Sequence, residues 1–250
     1  MPRPKGLVIA IDGPAGAGKS TIAARLARKL GYVNLESGAM YRALALKAVE
    51  GDVGFDDENA LAELAEKSHI VLEPTLGGNR VLLDGQDVSL RIREQDVTEA
   101  ASKVSVHPKV RQWMVAHQRA LGEQGGVIME GRDIGTKVFP DADLKIFLDA
   151  DAAVRGERRY RQAPAGAETR PESVLAELRE RDRRDRERAA SPLVAAPDAV
   201  VIDSTGLSID DVLARIEGMI AEKQARTEHS RDRRPAAVFR KNPLAFASVF

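Results

Sequence analysis

Short apolar runs separated by polar, helix-like stretches form the main pattern along the chain. Five of these runs are bounded by turn residues and have the length of buried strands: residues 6–11, 32–35, 127–129, 144–148 and 199–202. After the first run, Ile22, Leu26 and Leu30 recur four apart on one face of a helix. Gly31 is a favourable end for that helix. Buried strands that alternate with helices predict an α/β fold with a five-stranded parallel sheet between helical layers.

One interval departs from this rhythm. Residues 36–126 separate the second run from the third, which is far more chain than a parallel crossover requires. Within it, "HIVLEP", "RVLLDG" and "QDVSL" alternate like short antiparallel strands around a "GGN" turn. We therefore predict a small β insertion over residues 66–95, followed by helices over 96–121.

These patterns suggest a domain organisation. We assign residues 1–60 and 122–225 to the core and 61–121 to the insertion. Beyond residue 225 the sequence is polar and then apolar without a clear period, which predicts a flexible C-terminal tail over residues 226–250.

Composition narrows the function. The 38 Lys and Arg residues balance 38 Asp and Glu residues, so no general nucleic-acid binding is expected. There is no cysteine, which excludes disulfides, thiolate nucleophiles and cysteine-ligated zinc, and the four histidines lack ligand spacing. No apolar run approaches the ~20 residues of a membrane span. The start "MPRPKGLVIAIDG" has only a short apolar run before a glycine-rich turn, which suits a buried strand and not a secretion signal, so we expect a cytoplasmic protein.

The sequence "GPAGAGKST" fits the phosphate-binding pattern G-x-x-x-x-G-K-[ST] and stands between a predicted strand and a predicted helix. Its glycines let backbone N–H groups surround a polyphosphate at a helix N-terminus. The lysine supplies a mobile positive charge, and the Ser20 hydroxyl is suited to Mg²⁺. The predicted ATP-binding residues are Gly13, Pro14, Ala15, Gly16, Ala17, Gly18, Lys19, Ser20 and Thr21.

Other nucleotide-binding classes fit less well. The guanine-reading "NKxD" is missing, and "DSTG" at 203–206 comes too late in the chain for a GTPase switch. "LKIFLDAD" is only a weak imitation of a motor-type acidic strand. The remaining class is a transferase in which a second substrate accepts the γ-phosphoryl group.

A phosphorylated acceptor needs a second anion site, and arginines follow two of the predicted strands. "LESGAMYR" offers Ser37, which also fits a helix N-cap, and Arg42; "MEGRDIG" offers Glu130, Arg132 and Asp133. Open α/β sheets bind ligands at the carboxyl ends of their strands, and the planar arginine fork grips phosphate through two hydrogen bonds. Glu130 is predicted to hold a Mg²⁺-bound water.

The combination "IDGPAGAGKST", "SGAMYRALAL", "EGRDIGTKVFPDADLKIFLDA", "RERDRRDRERAASPL" and "DSTGLSIDDV" resembles the bacterial cytidylate kinases, a family of nucleoside monophosphate kinases. The resemblance runs in order over residues 7–222. It implies a P-loop fold, a nucleotide-monophosphate-binding insertion, a short helical lid at about 151–171, and MgATP-dependent phosphorylation of CMP and dCMP. We separately expect the protein to be a monomer. One visible departure is Glu36, where the family frequently has aspartate.

The resemblance also implies roles for single residues. The acceptor phosphate would meet Ser37, Arg42 and Arg132, with Arg188 nearby. The cytosine ring would meet Ser102, Arg111 and Asp133, and the ribose would meet Arg181 and Asp185. The implied catalytic residues are Lys19, Arg132, Arg158 and Arg159, with Arg155 and Arg161 as further lid candidates.

The resemblance also changes the interpretation of the fully charged run "RERDRRDRER", because it implies that part of this run binds the acceptor. A helix over 172–189 would place Arg181, Asp185 and Arg188 on one face, toward the acceptor. The other side chains of the run are predicted to be solvated: Arg179, Arg183, Arg186 and Glu187. Two alternatives stay open, namely a kinase for another nucleotide such as UMP or AMP, and an ATP-binding switch without turnover.

Overall fold

The computed structural model describes residues 3–75, 78–161 and 170–232. Strands β1–β8 are, in chain order, Val8–Asp12, Val33–Glu36, Ile70–Thr75, Gly78–Leu83, Gln86–Asp87, Val127–Gly131, Leu144–Asp149 and Val200–Asp203. Helices α1–α8 are Lys19–Leu30, Ser37–Glu50, Glu58–Glu66, Gln95–Val104, Pro108–Gly122, Ala152–Arg161, Pro171–Glu187 and Ile209–Asp232. A 3-10 turn spans Arg91–Arg93 and a π-helical turn spans Ile134–Val138.

The central sheet has the strand order β2-β6-β1-β7-β8, and all of its pairs are parallel. Strand β1 is buried along its whole length because it lies in the middle of this sheet with helices on both faces. A separate antiparallel sheet has the order β3-β4-β5. Both sheets confirm the predicted fold class.

Each face of the central sheet carries its own apolar core. On one face, Ile22 and Leu26 of α1 pack with Val212 and Ile216 of α8. The other face is covered by α2, whose residues face both the sheet and the insertion. This explains why α2 buries residues nearly all round, from Ala39 to Ala48.

The insertion is attached to the core by more than apolar packing. The buried Asn79 of β4 accepts a hydrogen bond from the Glu36 amide at 2.9 Å and donates to the Asn34 carbonyl at 2.7 Å. Its side chain therefore pairs with the outer strand β2 much as a peptide group would. We propose that the insertion comprises residues 61–121 and the core comprises residues 1–60 and 122–225.

Helix α8 extends into the segment predicted to be a flexible tail. Its last buried apolar residue is Ile220, yet the helix continues through Asp232. Residues such as Ala, Glu, Lys, Gln and Arg have high helix propensity and support this extension. The rest of the predicted tail, residues 233–250, lies outside the described residues, as do 162–169 of the predicted lid. Within the described part of the chain, no helix is both long and apolar enough to cross a membrane.

Candidate active site

The glycine-rich segment forms a loop between β1 and α1, as its sequence predicts. Gly13 has φ 146°, and a Cβ there would lie 2.0 Å from the Leu148 carbonyl oxygen, so only glycine fits. Gly18 precedes α1 with φ 93° and leaves the first amides of the helix without a side-chain cap. Uncapped amides at a helix N-terminus favour an anion. The loop borders a cavity of about 510 Å³.

Lys19 is buried at the base of this cavity, and its Nζ donates to the Pro14 carbonyl at 2.7 Å. Burial lowers the pKa of its ammonium group, and the nearby charges of Arg132 and Arg181 lower it further, whereas Glu130 opposes them. The positive charge is therefore unfavourable in the cavity as it stands. A polyphosphate would relieve this.

Glu130 ends in the same cavity from strand β6, and Ser20 borders it from α1. Burial raises the pKa of the Glu130 carboxyl, while Lys19 and a hydrogen bond with the Ser20 side chain lower it. A hydroxyl beside a carboxylate provides the oxygen donors that Mg²⁺ prefers. The chemistry of these two residues fits the predicted metal position, in which Ser20 would bind Mg²⁺ directly and Glu130 would hold a metal-bound water.

A second cavity adjoins the first and shares Gly38, Gly131, Arg132 and Arg181 with it. Nearly all of the predicted acceptor residues border it: Ser37, Ser102, Arg111, Arg132, Asp133, Arg181, Asp185 and Arg188. Arg42 borders the first cavity instead, where it pairs with Glu36 at 3.3 Å. The fold thus assembles the predicted residues at one place.

Several polar atoms around these cavities are buried and have no hydrogen-bond partner in the described structure: Arg42 Nε, Ser102 Oγ, Arg111 Nε, Arg181 Nε and Arg188 Nη2. An unsatisfied buried polar group costs about 1–3 kcal/mol. Their concentration here indicates a site built for a polar ligand.

Arg111 and Asp133 form a buried ion pair in the second cavity, with Nη2 and Oδ2 2.6 Å apart. Arg111 also donates to the Ser105 carbonyl at 2.9 Å and lies over the Tyr41 ring. Ser37 is the first residue of α2, not its N-cap, and its hydroxyl donates to the Glu130 carbonyl at 2.7 Å. Its interpretation as a cap is wrong, because the hydroxyl turns toward strand β6.

The charged helix α7 ends at Glu187, two residues earlier than predicted. Arg188 lies outside the helix, where the chain turns away with φ −59° and ψ 138° at this residue. The turn still brings Arg188 back to Asp185, with Nη1 and Oδ1 3.3 Å apart, while Arg132 Nε lies 2.8 Å from the other oxygen. Burial opposes ionisation of Asp185, but the surrounding arginines hold its pKa below the usual value.

For the other charged residues of this run, the predicted exposure is confirmed, but one further residue is unexpectedly buried. Arg179, Arg183, Arg186 and Glu187 are exposed. Asp182, however, is buried, and pattern reasoning missed it.

Among the lid arginines, Arg158 and Arg159 border the first cavity. Arg158 donates to the Ser204 carbonyl at 2.7 Å, and Arg161 pairs with the exposed Glu157 at 2.5 Å. Arg155 does not border either cavity: its guanidinium is buried against backbone carbonyls and Asp182. Its interpretation as a further lid arginine is wrong, because it lies in the first turns of α6, below the loop.

Asp12 is a second residue that sequence reasoning missed. At the end of β1, its buried carboxylate accepts hydrogen bonds from the amides of Ile134 at 2.8 Å and Gly135 at 2.7 Å. It thereby fixes the loop that carries Asp133. Burial raises its pKa to about 6, against the effect of the two amides. Its position directly before the glycine-rich loop was the available signal.

The raised pKa of Asp12 predicts a pH dependence of stability. Between the usual aspartate pKa of 3.8 and about 6, the native state binds a proton more tightly than the unfolded state. This contribution to stability therefore falls as the pH rises through that window. Relative to Asp12→Asn, we expect the free energy of unfolding to fall by about 2 kcal/mol between about pH 4 and about pH 7. Urea titrations of both proteins measure it, and parallel pH profiles would contradict it.

Comparison with known proteins identifies the family. A family model described as cytidylate kinase matches residues 9–222. The chain belongs to the cytidylate kinase family. A cytidylate kinase of Aeromonas salmonicida (strain A449) is 50% identical over 210 residues, covering 84% of this chain and 91% of that protein. A cytidylate kinase of Geobacillus kaustophilus (strain HTA426) is 50% identical over 216 residues, covering 86% and 96%. The resemblance stated from the sequence motifs is confirmed.

Proposed function

We propose that the chain transfers the γ-phosphoryl group of ATP to the α-phosphate of CMP or dCMP, yielding ADP and CDP or dCDP. The observation that carries this proposal is the junction of the two cavities. The glycine-rich loop borders one, the buried pair Arg111 and Asp133 borders the other, and Arg132 and Arg181 border both. Family membership supports the same reaction.

The transfer is an in-line displacement. An oxygen of the acceptor α-phosphate forms a bond to the γ-phosphorus while the bond to the β,γ-bridging oxygen breaks, and ADP leaves. Lys19, Arg132 and the lid residues Arg158 and Arg159 are placed to neutralise charge on the transferring group. The acceptor phosphate is already an anion at neutral pH, so no general base is needed. When bound through Ser20 and Glu130, Mg²⁺ supplies further neutralisation of the ATP phosphates.

Recognition of cytosine follows from its hydrogen-bonding edge. Cytosine presents an amino donor at N4 and an acceptor at N3, which match a carboxylate and a guanidinium. Asp133 accepts from the first and Arg111 donates to the second. Uracil reverses both edges and would leave two mismatched polar contacts in a buried site, which discriminates strongly. This favours a cytidine acceptor over UMP.

Two further assignments belong to the proposal. We propose that the protein acts as a monomer. We propose a cytoplasmic location, where free nucleotides are available, with no nucleic acid or membrane as a partner.

The test is the initial rate of ADP formation from MgATP with CMP, dCMP, UMP, AMP or no acceptor. We expect turnover with CMP and dCMP to exceed that with UMP or AMP by at least about 100-fold, the size of two mismatched buried contacts. Faster reaction with UMP or AMP would void the roles of Arg111 and Asp133. Equal ADP formation without any acceptor would indicate an ATPase and reject the proposal.

A further inference from the structure

Arg155 occupies an unusual position beneath the ATP-binding loop. The residue is only 3% exposed, and its guanidinium makes three hydrogen bonds to three parts of the fold. Nε donates to the Ala150 carbonyl at 2.8 Å, Nη1 to the Ala15 carbonyl at 3.0 Å, and Nη2 to Asp182 at 2.6 Å. One side chain thus joins the end of β7, the glycine-rich loop and helix α7.

The bond to Ala15 fixes the orientation of a peptide group in the loop. A trans peptide is planar, so its N–H points opposite to its carbonyl. Because Arg155 holds the Ala15 carbonyl, the Gly16 amide is directed away from Arg155, and Gly16 borders the ATP cavity. Inward-facing amides are what such a loop offers to phosphate oxygens.

The backbone of the loop also packs closely against Arg155 itself. A Cβ at Gly16 would lie 3.1 Å from the Arg155 Cβ and 3.2 Å from the Arg155 carbonyl oxygen. Helix α6 therefore touches the loop directly, with no side chain between them. A displacement of Arg155 would be passed to the loop backbone.

Asp182 ties the same arginine to helix α7, which also carries residues of the acceptor cavity. Its Oδ2 binds Arg155, while its Oδ1 is buried without a hydrogen-bond partner in the described structure. Among the described ion pairs, its only partner is Arg155. Asp185 stands three residues further along α7, on a neighbouring face, and binds Arg132 and Arg188. One helical segment therefore carries both the residue that holds the ATP loop and the residue that holds the acceptor arginines.

We propose that Arg155 and Asp182 form a positioning pair that couples the ATP-binding loop to the acceptor site. Binding of CMP draws on Arg132, Arg181 and Arg188 and so biases the position of α7. Through Asp182 and Arg155, that position determines how well the Gly16 amide faces the phosphates. The two substrates should then strengthen each other's binding, by an equal factor in both directions.

The experiment measures this factor by calorimetry on the full chain, using a non-hydrolysable ATP analogue with Mg²⁺. Its Kd is determined without CMP and with saturating CMP. For the unmodified protein we expect CMP to tighten analogue binding by about 5-fold or more, a common size for such coupling. For Asp182→Asn, which is nearly isosteric, we expect the factor to fall below about 2-fold, with CMP alone still binding.

The control is Glu180→Gln on the same helix, an exposed partner of Arg183, which should keep the full factor. If Asp182→Asn does not fold, Arg155→Lys is measured in its place, since lysine keeps the charge without the three-way geometry. Coupling absent from the unmodified protein, or unchanged in the folded variant, would overturn the inference. The inference rests on the proposed function, and the two fail differently: if CMP does not bind at all, the proposed function fails.

Discussion

Lys19→Met is expected to lower kcat for CMP phosphorylation by about 10²- to 10³-fold, the usual effect of removing one preorganised charge from a transferring group. The same change is expected to stabilise the protein in the absence of nucleotide. Burial lowers the pKa of the Lys19 ammonium, and the charges of Arg132 and Arg181 lower it further, so an uncharged chain of similar length is better tolerated at this buried position. A gain of about 1 kcal/mol would raise Tm by about 2–4 °C.

Initial rates and thermal unfolding measured on one preparation give both effects. The control is Lys29→Met at the other end of α1, whose exposed side chain pairs with Glu217, and it should change neither quantity appreciably. If Lys19→Met lost both activity and several degrees of Tm, the lysine would be holding the loop together, and its assignment to phosphoryl transfer would have to be withdrawn.

Asp133→Asn is expected to lower the ratio of kcat/KM for CMP to kcat/KM for UMP by about 10- to 100-fold. This is the effect expected from one mismatched buried contact. Asparagine can donate a hydrogen bond to the O4 of uracil. The aspartate carboxylate cannot, because the two facing oxygens are both acceptors and repel each other. The second mismatch, between Arg111 and the uracil N3–H, remains, so UMP should not overtake CMP. The ratio of kcat/KM for the two acceptors is the quantity to measure.

The ratio separates recognition from stability. Loss of the 2.6 Å pair with Arg111 leaves a buried cation unpaired and is expected to destabilise the fold by about 3–5 kcal/mol. Such a loss lowers the amount of active protein equally for both acceptors and leaves the ratio unchanged. An unchanged ratio at reduced activity would therefore assign Asp133 to structure alone.

The parts of this protein that could be predicted from sequence are those with local signals. The glycine-rich loop is specified within nine residues, and its strand, turn and helix follow in register. The strands of the central sheet are short apolar runs with turn residues at their ends. Of the residues of the acceptor cavity, Ser37, Arg132 and Asp133 follow predicted strands, whereas the others were assigned through the family resemblance.

What could not be predicted depends on contacts between distant segments. Arg155 and Asp182 look like solvated charges in two polar helices, and only the packing of α6 against α7 buries them together. Asp12 ends an apolar run and was not singled out, because its partners Ile134 and Gly135 lie more than a hundred residues away in the sequence. Pairings of this kind are set by the tertiary fold and leave no periodic trace in either segment.

The attachment of Asn79 to strand β2 has a consequence for solubility and motion. Strand β2 is one of the two edge strands of the central sheet, and an open edge of this kind can pair with other chains and aggregate. The Asn79 amide occupies part of that edge by binding the Asn34 carbonyl and the Glu36 amide. Swinging the small sheet outward would break both bonds and uncover the edge. Because β2 is itself paired with β6 in the central sheet, the small sheet should stay with the core in any opening of the acceptor side.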